Sequence, residues 1–374
     1  MFDFLIVGGG IVGTFIAREL SKYDVSTLLL EKEADLAQIQ TTHNSALVHS
    51  PVSIPREKGT LKSRFALEGN RMHRELAVQF GVPVLQNGAY MLAFDDAEMD
   101  TLKELQAEAI DRGLNPEILD AKTVLKEEPS LNPNVLGALE MADAMTADTY
   151  DYTSKLARNA RLNGVRIELN AAVEAIDAKA DHFVVTSSKG TFKARHIINA
   201  AGVKNAHIAA MVEDKVPYKM EPHRGEYYVL GPAYKTLVGH TLFPVPKKET
   251  KGILVIPQPD GTIRLGPTST YQSDLDNASI TDEGLKEVKD GVNLLVKNVP
   301  FDKSERTYAG LRSTIDRDDF YIQRSLEHPR FIHVAGIDSP GVTAAPAIAR
   351  YLVDEIIKPD TDLRVNEAFD PYRL

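Results

Sequence analysis

The first thirty-one residues constrain the chain more tightly than any other stretch. DFLIV at residues 3–7 is a short apolar run suited to a buried strand, and it breaks into Gly8-Gly9-Gly10. IVGTFIARELSKY follows with Ile11, Phe15, Ile16 and Leu20 on one helical face, and VSTLLLE reads as a second strand closing at Glu31. Strand, glycine turn, helix and strand make one βαβ unit. Within it Gly8-x-Gly10-x-x-Gly13 opens the helix and Glu31 lies eighteen residues beyond the last glycine. The first glycine permits the tight turn, the second lets backbone approach a pyrophosphate, and the third brings helix against strand, while the acid takes ribose hydroxyls. A terminal carboxylate disfavours a 2′-phosphate, which leaves FAD or NAD.

The rest of the chain alternates in the same manner only in places. LKSRFALEGNRMHRELAVQFG (61–81) and AEMDTLKELQAEAIDRG (97–113) read as helices, with NGAYMLAF between them as a strand. TYDYTSKLARNARLNGVRIELNAAVEAI (149–176) repeats the helix, glycine, strand order, and RFIHVAG (330–336) runs into the helical VTAAPAIARYLVDEII. HFVVTSS, GTFKARHIINAAG and the segments near 225–267 alternate like antiparallel strands. The expectation is an α/β (α+β overall) chain: a Rossmann-like dinucleotide domain from discontinuous segments (1–80, 145–205 and 330–374) and an antiparallel β-rich substrate domain (81–144 and 206–329). HIINAAG (196–202) puts a strand into a small-residue turn where Gly202 lets backbone pass close to the dinucleotide.

Composition closes several alternatives. With 43 basic against 53 acidic residues the chain carries a formal charge of −10, which opposes binding of nucleic acid. There is no cysteine, so disulfides, thiolate metal sites, a redox dithiol and a sulfur-tethered flavin are excluded. The apolar start lacks a basic region and is cut by glycines, and no later apolar run approaches membrane-spanning length, which suggests a cytoplasmic address, with reversible docking on a membrane left open. The pairs His43/His49 and His196/His207 have no acidic or thiol partner in helical register, so no metal site is expected.

Several spaced motifs then carry a likeness. GGGIVG…LLLEK, THNSALVHS (42–50), HRGEYYVL (223–230), PQPDGTIRLGPTS (257–269), AGLRS (309–313) and GIDSPGVTAAPAIA (336–349) together resemble the FAD-dependent oxidoreductases typified by D-amino-acid oxidase. Within that family the chain is most similar to short flavin glycerol-3-phosphate oxidases and dehydrogenases, and next to L-2-hydroxyglutarate oxidases. The resemblance implies FAD as cofactor. It implies cofactor contacts from Gly8, Gly10, Val12, Gly13, Glu31, Thr41, Thr42, Ser45, Ala46, Leu47, Val173, Gly202, Ile337, Asp338 and Thr343. Two departures stand out: the family usually has glycine where Ala46 stands, and often glycine beyond the histidine, where this chain has Ser50-Pro51.

The same likeness makes His49 the base near the reactive flavin atom, and the chemistry wants such a residue, because oxidising a secondary alcohol moves a hydride one way and a hydroxyl proton another. His43 reads as a packing residue, and Asn44 and Ser45 as donors to flavin or substrate. A buried phosphate or carboxylate needs fixed cations. Arg312 and Lys251 match the family's anion-binding positions, Arg224 is a further candidate, and the resemblance implies that Ser45 and Ser339 reach the substrate. The resulting expectation is oxidation of a small anionic 2-hydroxy compound, foremost sn-glycerol 3-phosphate, with electrons passing to oxygen or another acceptor. L-2-hydroxyglutarate oxidation and a flavoprotein interaction module without turnover remain the alternatives.

Overall fold

The computed structural model describes residues 1–56, 59–246 and 252–374. The strand Phe2–Val7 lies between two parallel neighbours, with Phe4 opposite Thr27 on one side and His196 on the other. A strand paired on both edges and covered on both faces has no solvent side, which is why Phe4, Leu5, Ile6 and Val7 run without polar interruption. The parallel part of this first sheet runs Phe331–Ala335, the end of Gly190–Asn199, Phe2–Val7, Thr27–Leu30 and Arg166–Glu168. Val173–Ala178 and Phe183–Ser187 extend it antiparallel.

Helices Ile11–Leu20, Thr60–Phe80, Thr149–Leu162 and Gly341–Tyr351 pack into one core over this sheet, through Phe15, Ile16, Leu20, Phe65, Tyr152, Leu156 and Ile348. Tyr321–Arg324 pairs antiparallel with Phe331–Ala335 and so belongs to this sheet, ahead of the boundary expected at 330. Four residues with only Tyr321 and Ile322 buried carry no period that could assign the strand to one sheet or the other.

A second sheet runs Thr270–Tyr271, His223–Leu230, Ile263–Gly266, Leu254–Pro257, Thr241–Pro244, Ala89–Ala93, Gly137–Met141 and Glu117–Asp120, with Ser304–Arg312 also on His223–Leu230. Its pairs are antiparallel with one exception. Thr241–Pro244 lies parallel to Ala89–Ala93, joining two stretches of chain about 150 residues apart, and such long-range pairing leaves no local mark in either segment. Leu47–Val48, Met145–Ala147 and Val84–Leu85 form a small third sheet that carries the 41–51 loop between the two larger ones. Among the described residues no helix is long and apolar enough to cross a membrane.

Candidate active site

The parallel strands of the first sheet end together, and their carboxyl ends open on a cavity of about 1450 Å³ lined by Val7, Leu30, Glu31, Ala200, Gly202 and Ile337 among others. Ligands of open α/β sheets bind there, because the loops leaving adjacent strands splay apart and expose backbone N–H groups. The glycine turn forms the near wall. Gly8 has a φ of 111°, and a Cβ on it would stand 2.5 Å from the carbonyl oxygen of Ala200; one on Gly13 would stand 2.0 Å from the carbonyl of Gly8. Strand and helix are therefore in backbone contact, and the helix N-terminus faces the cavity. Glu31 is organised beside it, one carboxylate oxygen accepting from Gly9 N–H at 2.6 Å and the other from Glu33 N–H at 2.9 Å.

The loop from Thr41 to Pro51 crosses the cavity between the two sheets. Thr41 Oγ1 accepts from the Ile11 N–H at 3.0 Å, joining the loop to the start of the first helix. Asn44 acts as a clasp. Its amide donates to the carbonyls of Gln40 and Thr41 and its Oδ1 accepts from Ala46 N–H at 2.6 Å, while its own carbonyl accepts from Arg264 at 2.6 Å and Tyr308 at 2.8 Å. The side-chain amide expected to serve flavin or substrate is thus spent on the loop itself. His43 lies on the cavity wall with its ring edge-on to Tyr308.

His49 is held on every side. Its N–H donates to Thr343 Oγ1 at 2.8 Å and its carbonyl accepts from Asn70 Nδ2 at 3.0 Å. Nδ1 faces Ser53 Oγ and Nε2 faces Ser339 Oγ, each at 3.4 Å, and the ring lies 6.0 Å from that of Phe243. Four separate elements, the short turn of helix Pro51–Ser53, the helices Thr60–Phe80 and Gly341–Tyr351 and the loop before the latter, thus fix one imidazole on the cavity wall. That is what a proton acceptor in a defined position requires.

Across from the glycine turn, the strands His223–Leu230 and Ser304–Arg312 present one face to the cavity in three cross-strand pairs: Tyr227 with Tyr308, Gly225 with Gly310, and His223 with Arg312. The two tyrosine rings stack at 4.5 Å, and burial pushes both phenols above their ordinary range, so they stay neutral. Arg312 donates from Nη2 to the Thr268 carbonyl at 3.0 Å, while its Nη1 is buried without a hydrogen-bond partner among the described residues. A guanidinium so placed is an incomplete arrangement that an anion completes.

Lys62 and Asp338 form a buried ion pair at 2.8 Å on the same cavity, tying the helix Thr60–Phe80 to the loop before Gly341.

Comparison with known proteins places this geometry. The model of the FAD dependent oxidoreductase family matches residues 3–355. The chain belongs to the FAD dependent oxidoreductases. Glycerol 3-phosphate dehydrogenase of Caloramator mitchellensis is 37% identical over 100% of this chain and 77% of its own, and glycerol 3-phosphate oxidase of Mycoplasma genitalium is 30% identical over 94% of each. L-2-hydroxyglutarate dehydrogenase of Escherichia coli is 29% identical over 72% of this chain and 64% of its own. Among solved structures, dithionite-reduced L-alpha-glycerophosphate oxidase from Mycoplasma pneumoniae with FAD bound superposes with a TM-score of 0.90, at 26% identity and covering 99% and 97% of the two chains.

The cavity of this FAD dependent oxidoreductase fits its cofactor. The glycine-lined helix N-terminus suits the pyrophosphate and the Glu31 carboxylate suits ribose hydroxyls, each oxygen keeping lone pairs beyond the backbone bond it accepts. Of the residues expected at the site, Gly8, Gly10, Val12, Gly13, Glu31, Thr41, Ser45, Leu47, His49, Val173, Gly202, Arg312, Ile337, Asp338 and Ser339 line it. Thr42, Ala46 and Thr343 lie off its wall. The Thr42 hydroxyl donates to the Ala37 carbonyl, Ala46 is fully enclosed, and Thr343 lies under the loop as the acceptor for His49. Arg224 is paired with Glu226, which in turn accepts from the Thr281 N–H at a helix start, and this draws the arginine away from an anion-binding role. Lys251 lies outside the described residues.

Sequence reasoning missed Asn70, Ser53 and His223. HRGEYYVL had been singled out as a motif, and the two-residue period from Tyr227 through Gly225 to His223 is the one signal that could have found the last of these.

Proposed function

We propose that the chain oxidises sn-glycerol 3-phosphate to dihydroxyacetone phosphate, the electrons passing on to oxygen or another acceptor. FAD, when bound, supplies the hydride-accepting ring. The chain's own part is to bind, orient and deprotonate. His49, held by Thr343 and Asn70, accepts the proton of the secondary hydroxyl, with Ser339 beside its Nε2 to steer that hydroxyl. Arg312, with Lys251 as its proposed companion, grips the phosphate. Phe243, beside the His49 ring, and Leu254 add apolar surface to the cavity wall, which strengthens charge interactions there.

The observation that carries this reading is Arg312: a cation on the wall of the cavity that holds His49, with a buried Nη1 that has no hydrogen-bond partner among the described residues. The relatives at 37% and 30% identity bear names that specify glycerol 3-phosphate, which supports the choice of anion. L-2-hydroxyglutarate is the competing anion, and the experiment discriminates. Anaerobic enzyme is mixed with glycerol 3-phosphate, L-2-hydroxyglutarate and glycerol in turn, flavin absorbance is followed, and oxygen uptake is measured in parallel. Rapid bleaching by glycerol 3-phosphate alone supports the proposal, and bleaching by L-2-hydroxyglutarate alone replaces it. The proposed address is the cytoplasm.

A further inference from the structure

We infer that His223 is a specificity-determining residue, a second donor that together with Arg312 recognises the tetrahedral phosphate of the substrate. The inference rests on the proposed function and concerns a residue of HRGEYYVL to which the family resemblance assigned no role.

His223 and Arg312 are directly opposed in the antiparallel pair of His223–Leu230 with Ser304–Arg312, and both line the cavity. Side chains opposed in this way rise from one face of a sheet with their Cβ atoms about 5 Å apart. That spacing suits two donors to different oxygens of one small anion. The guanidinium folds over the next pair along the strands. A Cβ on Gly225 would stand 3.1 Å from Arg312 Nη2, so this glycine leaves the arginine room to lie flat and donate to the Thr268 carbonyl.

The imidazole is held from its other side. Tyr271, opposite His223 in the neighbouring antiparallel pair, meets its ring edge-on at 6.1 Å, and Ser269 Oγ lies 3.3 Å from Nδ1. In the proposed arrangement the Ser269 hydroxyl donates to Nδ1. The proton then sits on Nε2, which donates whether the ring is neutral or charged. Arg312 offers a planar fork, which by itself suits a carboxylate as well as a phosphate. A donor from a separate strand, outside the plane of that fork, favours an anion whose oxygens are not coplanar. The pair therefore selects phosphate over carboxylate, where the arginine alone does not.

The test compares wild type with His223→Phe, which keeps the contact with Tyr271 but has no donor, and with His223→Gln, which keeps a donor. Each protein is loaded with FAD, and the flavin content and thermal midpoint are recorded. The dissociation constants for glycerol 3-phosphate, from the concentration dependence of anaerobic flavin reduction, and for inorganic phosphate, from the perturbation of flavin absorbance, are then measured. Loss of one hydrogen bond to a charged group predicts at least about tenfold weaker binding of both ligands in His223→Phe. His223→Gln recovers part of that loss, and the limiting reduction rate at saturation stays within about threefold.

Affinity for both ligands unchanged in His223→Phe overturns the inference. So does a loss shared equally by L-2-hydroxyglutarate, because the residue would then not discriminate. If His223→Phe fails to load FAD, the same comparison is read from His223→Gln against His223→Asn, whose shorter amide predicts the weaker phosphate binding; equal affinities overturn the inference. If wild type ignores glycerol 3-phosphate yet binds inorganic phosphate through His223, the proposed substrate falls and the phosphate site stands.

Discussion

The backbone N–H of His49 donates to the hydroxyl of Thr343 across 2.8 Å and 294 positions of sequence. The contact joins the loop that carries the imidazole to the first turn of the helix Gly341–Tyr351. Helix Thr60–Phe80 lies directly against the same turn at Gly69, where a Cβ would stand 1.9 Å from the Thr343 carbonyl. Thr343→Val keeps the shape and removes the acceptor, leaving an N–H to be satisfied elsewhere, at about 1–3 kcal/mol. We expect a fall of roughly tenfold in the limiting rate of flavin reduction, FAD content retained, and recovery in Thr343→Ser. Stopped-flow reduction of the three proteins decides it, and equal rates in Val and Ser variants would show that the contact does not position the base.

His49→Gln replaces the proton acceptor with an amide of similar reach. General-base catalysis by a positioned imidazole contributes about 10²–10⁴-fold, so the reduction rate should fall by that factor while substrate affinity changes by severalfold at most. Raising the pH should not rescue the variant, because glutamine has no ionisation to recover. A reduction rate within a few-fold of wild type would remove His49 from the mechanism.

These two predictions mark where sequence reading stopped. The dinucleotide cradle was legible because its parts lie within Gly8–Glu31 and each residue type answers a local demand: a turn, a close approach, a carboxylate at a strand end. AGLRS pointed to Arg312, and the fold places that residue on the cavity wall. The residues that hold His49 were not legible, since Asn70, Ser53 and Thr343 come from three elements and an asparagine or threonine inside a helix has no pattern that announces a distant backbone partner. Asn44 shows the converse. Its position in THNSALVHS was noticed, but its partners Arg264 and Tyr308 arrive from the second sheet, and only the fold shows that it fastens the loop. The parallel pairing of Thr241–Pro244 with Ala89–Ala93 was hidden for the same reason.

Ala46, at the position where the family resemblance leads one to expect glycine, sits at φ 55°. In that left-handed region a Cβ meets the following carbonyl, a cost of about 1–2 kcal/mol that glycine escapes. Glycine in turn gives up about 0.4–1 kcal/mol through the greater freedom of the unfolded chain. Ala46→Gly should therefore stabilise the protein by roughly 0.5–1 kcal/mol. The Asn44 clasp and the bond from Ala147 N–H to the Ala46 carbonyl both involve only backbone at position 46 and survive the change. Urea denaturation of FAD-free protein measures the difference, and a loss of 1 kcal/mol or more would mean that the buried methyl packs well enough to outweigh its strain.

His73 is fully buried, and burial lowers its pKa from 6.5 to about 4. The neutral ring is used at both nitrogens. Nε2–H donates at 2.9 Å to the Val342 carbonyl, which Pro346, lacking an N–H, leaves unpartnered inside the helix Gly341–Tyr351, and Nδ1 lies 3.2 Å from the Tyr152 hydroxyl, which donates to it. Between about pH 6.5 and 4 the unfolded chain binds the proton and the folded chain does not. The contribution of this residue is therefore complete above pH 6.5 and declines as the pH falls towards 4, by roughly 3 kcal/mol over the interval. His73→Gln retains a donor for Val342 and an acceptor for Tyr152 but does not titrate. We expect the stability of wild type relative to this variant to fall steadily between pH 7 and pH 4 in denaturant titrations, with the steepest change below 6.5. Curves for the two proteins that stay parallel across the interval would show that the folded protein protonates His73 at its ordinary pKa.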